Sequence, residues 1–190
     1  MVIHRNEARD LRLRALADSI NDTARMARNT LTAALVVALY LGVTLLSSTD
    51  LNLFLNGQVV LPQVGTGVSV VQSYIFAPPV FLFLHVQALL LLNTLARKVR
   101  VFDAALSSDV PAEERSLYKE WLSGFGFVQV VRSNSAFSPS RVVFWLSACV
   151  LPPLLLFLID LSFVRYQSYE ITAFHHLWVI LNLISVWLFN

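Results

Sequence analysis

Two runs decide the fold: LTAALVVALYLGVTLLS at residues 31–47 and APPVFLFLHVQALLLLNTLA at residues 77–96, the second emptying directly into RKVR at 97–100. An apolar helix of about 20 residues, rising about 1.5 Å per residue, matches a bilayer core of about 30 Å. Residues 48–76, which join the two runs, contain no Lys or Arg. The stretch therefore reads as a membrane hairpin with spans at 30–47 and 77–96.

Working outward, two further apolar runs cover 142–163 and 172–190, joined by the short outer turn Tyr166 to Ile171. The chain is 56% hydrophobic and 14% charged, against about 25% charged in an average soluble domain. The expected fold is all-α: one domain, residues 1–190, forming an integral membrane bundle of four transmembrane helices in two hairpins. An amphipathic N-terminal helix covers 1–28, and a cytoplasmic helical segment covers 97–141.

Basic residues in short flanking segments set orientation. Six arginines precede the first span, and Arg97, Lys98, Arg100, Arg115, Lys119, Arg132 and Arg141 lie between the second and third. Of the fourteen basic residues only Arg165 falls on the other side. Both termini and the middle segment are thus expected in the cytoplasm. A cleavable signal peptide does not fit, because a long charged segment comes first and no A-x-A site follows the first run.

In residues 1–28, Leu13, Leu16, Ile20 and Ala24 recur at helical spacing beside six arginines. Such a helix can lie on anionic headgroups, or it can pack its leucines on the protein's own cytoplasmic parts. The pattern alone leaves both placements open. In the first loop, Ser48-Thr49-Asp50 suits the cap of a short helix ended by Asn56-Gly57. Val59 to Val64 and Val68 to Val71 flank Gly65-Thr66-Gly67, which predicts a small β-hairpin. No Lys-Ser/Thr follows those glycines, so they are not a phosphate loop.

Ala77-Pro78-Pro79 reads as the first turn of the second span, where missing N–H groups cost little. This helix should continue past the membrane along Leu95, Val99, Phe102 and Leu106, ending near Ser107-Ser108. Asp109 to Gly124 reads as a further helix, with Asp109, Glu113 and Glu114 near the positive end of its dipole. Phe125 to Val131 is apolar but too short to span, which leaves an interfacial or re-entrant placement open. Ser138-Pro139 starts the third helix. Pro152 and Pro153, about halfway across, should break it, freeing carbonyls near Ala148 and Cys149 either for Ser147 or a neighbouring helix to satisfy or for an ion to occupy.

Polar residues at membrane depth mark either interhelical hydrogen bonds or a conducting path. His85, Gln87 and Asn182 form one such candidate group near the midplane. Asp160, Arg165, His175 and His176 form a second at the outer interface, with Glu170 nearby. Adjacent histidines on a helix point about 100° apart, and no H-x-x-x-H spacing occurs. An ion pair therefore fits the outer group better than a metal site. The lone Cys149 excludes an intramolecular disulfide and a cysteine metal cluster. No catalytic motif, metal site or cofactor fingerprint is present in the pattern, and a net charge of +2 gives no reason to invoke nucleic acid.

The run Leu41-Gly-Val-Thr-Leu-Leu-Ser-Ser-Thr-Asp50, then Val60-Leu-Pro-Gln-Val-Gly65, then Phe76-Ala-Pro-Pro79 with His85 and a basic exit at Arg97, resembles the membrane region that precedes pentapeptide repeats in some bacterial membrane proteins. The resemblance covers about residues 25–105, with a looser match through the third and fourth runs. It implies a bacterial cytoplasmic membrane and no catalytic residues. Repeats are absent here, and the last run has no basic residues at its inner end, so a further domain after Asn190 is expected. The functional expectation is a membrane anchor and assembly domain, whose partners are the bilayer, further copies of the chain and cytoplasmic proteins. The alternative is an oligomeric channel lined by His85, Gln87 and Asn182.

Overall fold

The structure, a computed structural model, describes residues 2–47, 58–60, 67–122, 124, 126–132, 139–164 and 169–189. Apart from one short antiparallel pair, these residues are mostly helical. Helix α1 runs Val2–Ser47, strands β1 and β2 run Gln58–Val60 and Gly67–Ser69, and α2 runs Val70–Asp109. Short helices α3 (Arg115–Lys119) and α4 (Gly126–Arg132) follow. Next, α5 (Pro139–Trp145) passes through a π-helical turn, Leu146–Val150, into α6 (Leu151–Val164), and α7 (Tyr169–Phe189) ends the described chain.

Among the described residues, three helical stretches are long and apolar enough to cross a membrane, lying within Glu7–Val43, Ile75–Asp109 and Val142–Leu161. The apolar part of α7, Thr172–Leu188, is shorter. The placement of several boundaries departs from the sequence pattern for physical reasons. Nothing between Val2 and Ser47 breaks a helix except Gly42, so the amphipathic segment and the first span are one helix of 46 residues. Helix α2 begins at Val70, which puts Pro78 and Pro79 inside it, not in its first turn. Of the expected helix from Asp109 to Gly124, the described residues after Asp109 are helical over Arg115–Lys119 alone. The expected turn at 48–57 lies outside the described residues.

The small hairpin pairs Gln58 with Ser69, Val59 with Val68 and Val60 with Gly67, consistent with valines flanking a glycine-rich loop.

The described chain forms two compact units. The first contains residues 1–29 and 88–144. Within it, Leu13, Ala17, Ile20 and Ala24 of α1 are buried with Leu95, Val99, Phe102 and Leu106 of α2. Both sets repeat at intervals of three and four, the seam that lets two helices interlock side chains along their length. Polar groups fix the register antiparallel. Lys98 Nζ donates to Ser19 Oγ and Thr23 Oγ1, both at 2.8 Å, and to the Ser19 carbonyl at 3.3 Å. Arg9 donates to the Asp109 carbonyl and to the Tyr118 hydroxyl, which in turn donates to Asp10 at 2.8 Å. Burial, together with that carboxylate, pushes the Tyr118 phenol above its ordinary pKa. Arg115 closes the end of α2 by donating to the Ser107 and Val110 carbonyls, which have no helical donor there.

The apolar stripe of residues 1–28 is therefore covered by protein, and its core leucine and isoleucine are not available to lie on lipid. Helix α4 joins the same core through Val128, with Phe127 and Val131 packed against it. That placement accounts for an apolar segment too short to span.

The second unit contains residues 30–87 and 145–190. Its core gathers Ala34 and Leu41 of α1, Phe81 of α2, and Leu156 and Ile159 of α6. Val179 of α7 packs against this cluster.

Candidate functional site

The second unit is organised around the π-helical turn Leu146–Val150 that leads into α6. Proline has no N–H, so a helix carrying one leaves the carbonyl four residues earlier without its donor. Two consecutive prolines make this worse at a single position. The carbonyl of Ala148 would receive the N–H of residue 152 in an α-helix and of residue 153 in a π-helix, and both are proline. The chain adopts the π pattern locally, with the Leu151 N–H donating to the Leu146 carbonyl. Ala148 is buried, so water does not replace the missing donor.

His85 supplies it. Its Nε2 lies 2.7 Å from the Ala148 carbonyl oxygen, which can only accept. Asn182 Nδ2 lies 3.0 Å from His85 Nδ1 and donates to it. The two bonds together specify a neutral imidazole with its proton on Nε2. His85 and Asn182 are both buried, and Phe81 stacks one turn away with ring planes 12° apart. One histidine thus ties α2, the broken helix and α7 together.

Gln87 does not join them. Residues two apart on a helix point about 200° apart, so a side chain next but one to the buried His85 must face away, and Gln87 is exposed. A convergent His85–Gln87–Asn182 group was never available to a single helix. The freed carbonyl near Ala148 and a neighbouring helix as its donor are both legible in the sequence; what the sequence does not display is that the donor is His85, a contact between residues 63 apart.

At the outer group, Asp160 is buried and its Oδ1 lies 3.1 Å from Nδ1 of His176. That nitrogen also lies 2.8 Å from the Thr172 carbonyl. The neighbouring His175 is buried whereas His176 is exposed, as their separation of about 100° requires. Arg165 lies outside the described residues. Among the described residues no three metal-ligating side chains come together. Asp160→Asn is expected to lower the stability of detergent-solubilised protein by about 1–3 kcal/mol, the cost of altering a buried polar group. Elemental analysis of both proteins should find no stoichiometric zinc. One zinc per wild-type chain, lost in the variant, would instead make this group a metal site.

Beside the break, an apolar groove of about 390 Å³ is lined by Cys149, Pro153, Leu154, Phe157, Val179 and Leu183. None of these offers the convergent polar groups that orient a small-molecule ligand.

Comparison with models of protein families, with curated proteins and with solved structures finds no match to this chain.

Proposed function

We propose that the chain is a membrane anchor and assembly domain, with four spans in two hairpins and both termini in the cytoplasm of a bacterial cell. The supporting observation is the use of its intramembrane polar groups. His85 bonds the Ala148 carbonyl and Asn182 bonds His85, which is what attachment of one helix to another in lipid requires. We take α7 as the fourth span: its apolar part, Thr172–Leu188, reaches the lower end of the range of about 17–25 residues that crosses a bilayer. The distribution of basic residues supports the orientation. In this reading the cytoplasmic helices of the first unit bind protein partners.

A reporter fused after Asn190 tests the anchor and its orientation together. It should stay with the membrane through alkaline extraction and be active only in the cytoplasm. The same protein reconstituted in planar bilayers should carry no current. A reporter on the outer face would overturn the orientation, and a current abolished by His85→Leu would replace the anchor reading with the channel.

A further inference from the structure

We propose that two copies of this chain pair in the membrane along one face of α2, with Gln87 of each copy hydrogen-bonded to Gln87 of the other. The proposal rests on the membrane-spanning reading of α2. Exposed residues on this helix include Phe76, Val80, Phe83, Gln87 and Leu90. Their spacing of four, three, four and three keeps them in one stripe, the repeat that packs helices in lipid at a shallow left-handed angle.

Four of the five are the large apolar groups that lipid accepts. Gln87 is not. It stands ten residues before Arg97, about 15 Å along the helix, beyond the reach of its side chain to the aqueous surface. A primary amide at that depth needs both a donor and an acceptor. Exposure on this face leaves the monomer with neither for it, whereas His85, on the opposite side of the same helix, is fully engaged.

A second copy is the occupant that the chemistry selects. An amide is complementary to itself, offering N–H and C=O in the same group, so two identical residues related by a two-fold axis satisfy each other. Identical insertion sets that axis along the membrane normal and makes the paired α2 helices parallel. In the three-and-four repeat Gln87 takes the position at which a polar residue in parallel pairs faces its counterpart and fixes register. A lipid headgroup cannot reach this depth, and a different membrane protein would need a polar group placed at the same level.

The test uses the full chain in lipid nanodiscs and in native membranes. In a Cys149→Ala background, Phe83→Cys and Leu90→Cys should form intermolecular disulfides on mild oxidation. Val43→Cys and Leu183→Cys, exposed to a similar degree on other helices, should not. Gln87→Leu, carried by both copies, should raise the dissociation constant of the pair roughly ten- to three-hundred-fold, the effect of losing two reciprocal interhelical hydrogen bonds in lipid. Gln87→Asn should recover part of it. Since Gln87→Leu removes a polar group from an apolar face, the monomer's own fold stays intact. Equal cross-linking from all four positions, none from any, or a dissociation constant unchanged in Gln87→Leu would overturn the pairing. Alkaline extraction separates the causes. A chain that washes off the membrane overturns the spanning reading along with the pairing, whereas a retained chain that fails to pair overturns the pairing alone.

Discussion

Phe102→Ala is expected to destabilise the first unit by about 3–5 kcal/mol, the range for emptying an aromatic site in a packed core. The ring is wholly buried with Leu13, Ile20, Val99 and Leu106, between two long helices. The cost of such a cavity depends on how far its walls can close. Here they are held apart: Lys98 is fastened to Ser19 and Thr23 on one side, and Arg9, Asp10 and Tyr118 are joined on the other. The measurement is hydrogen exchange of the detergent-solubilised protein. Amides of residues 95–106 should lose protection in Phe102→Ala and lose far less in Phe102→Leu, which keeps most of the volume. Protection unchanged in the alanine variant would mean that the α1–α2 seam does not hold the unit together.

His85→Leu is expected to have the second largest effect, about 1–3 kcal/mol for each polar group left without its partner. Two are left: the Ala148 carbonyl, which no backbone N–H can reach in either helical pattern, and the Asn182 amide. Asn182→Leu removes only one of the two bonds and leaves Ala148 satisfied, so its cost should be smaller. Thermal unfolding of both variants in the same detergent gives the order. Equal losses, or a larger loss in Asn182→Leu, would contradict the role assigned to the Ala148 bond.

Much of this was legible in the residues, and the limits have physical causes. The apolar runs, the break at Pro152-Pro153 and the pairing around Gly65-Thr66-Gly67 follow from hydrophobic length and local backbone chemistry, which a single sequence displays directly. Where a helix continues through a change of environment, composition misleads. The shift from arginine-rich to apolar near Asn29 looks like a boundary, yet the backbone carries no reason to stop there. Pro78-Pro79 looks like a start, yet prolines inside apolar helices are tolerated when neighbours meet the freed carbonyls. The covering of Leu13 and Ile20 by α2 is a long-range fact, although the matching repeat in Leu95, Val99, Phe102 and Leu106 was visible. His85 and Asn182 could be singled out by depth. The exclusion of Gln87 needed only the turn of about 100° per helical residue, whereas the meeting of His85 with the carbonyl that the prolines free is a long-range contact.

The central claim is that His85 serves the fold by repairing the carbonyl that the prolines orphan, and a double-mutant cycle tests it directly. Pro152→Ala restores an N–H four residues after Ala148, so the carbonyl gains a donor of its own. In that background His85→Leu should lose most of its cost, giving a coupling of at least about 1 kcal/mol between the two positions. If His85→Leu is as damaging in the Pro152→Ala background as in the wild-type chain, the bond to Ala148 is not what the histidine is there for.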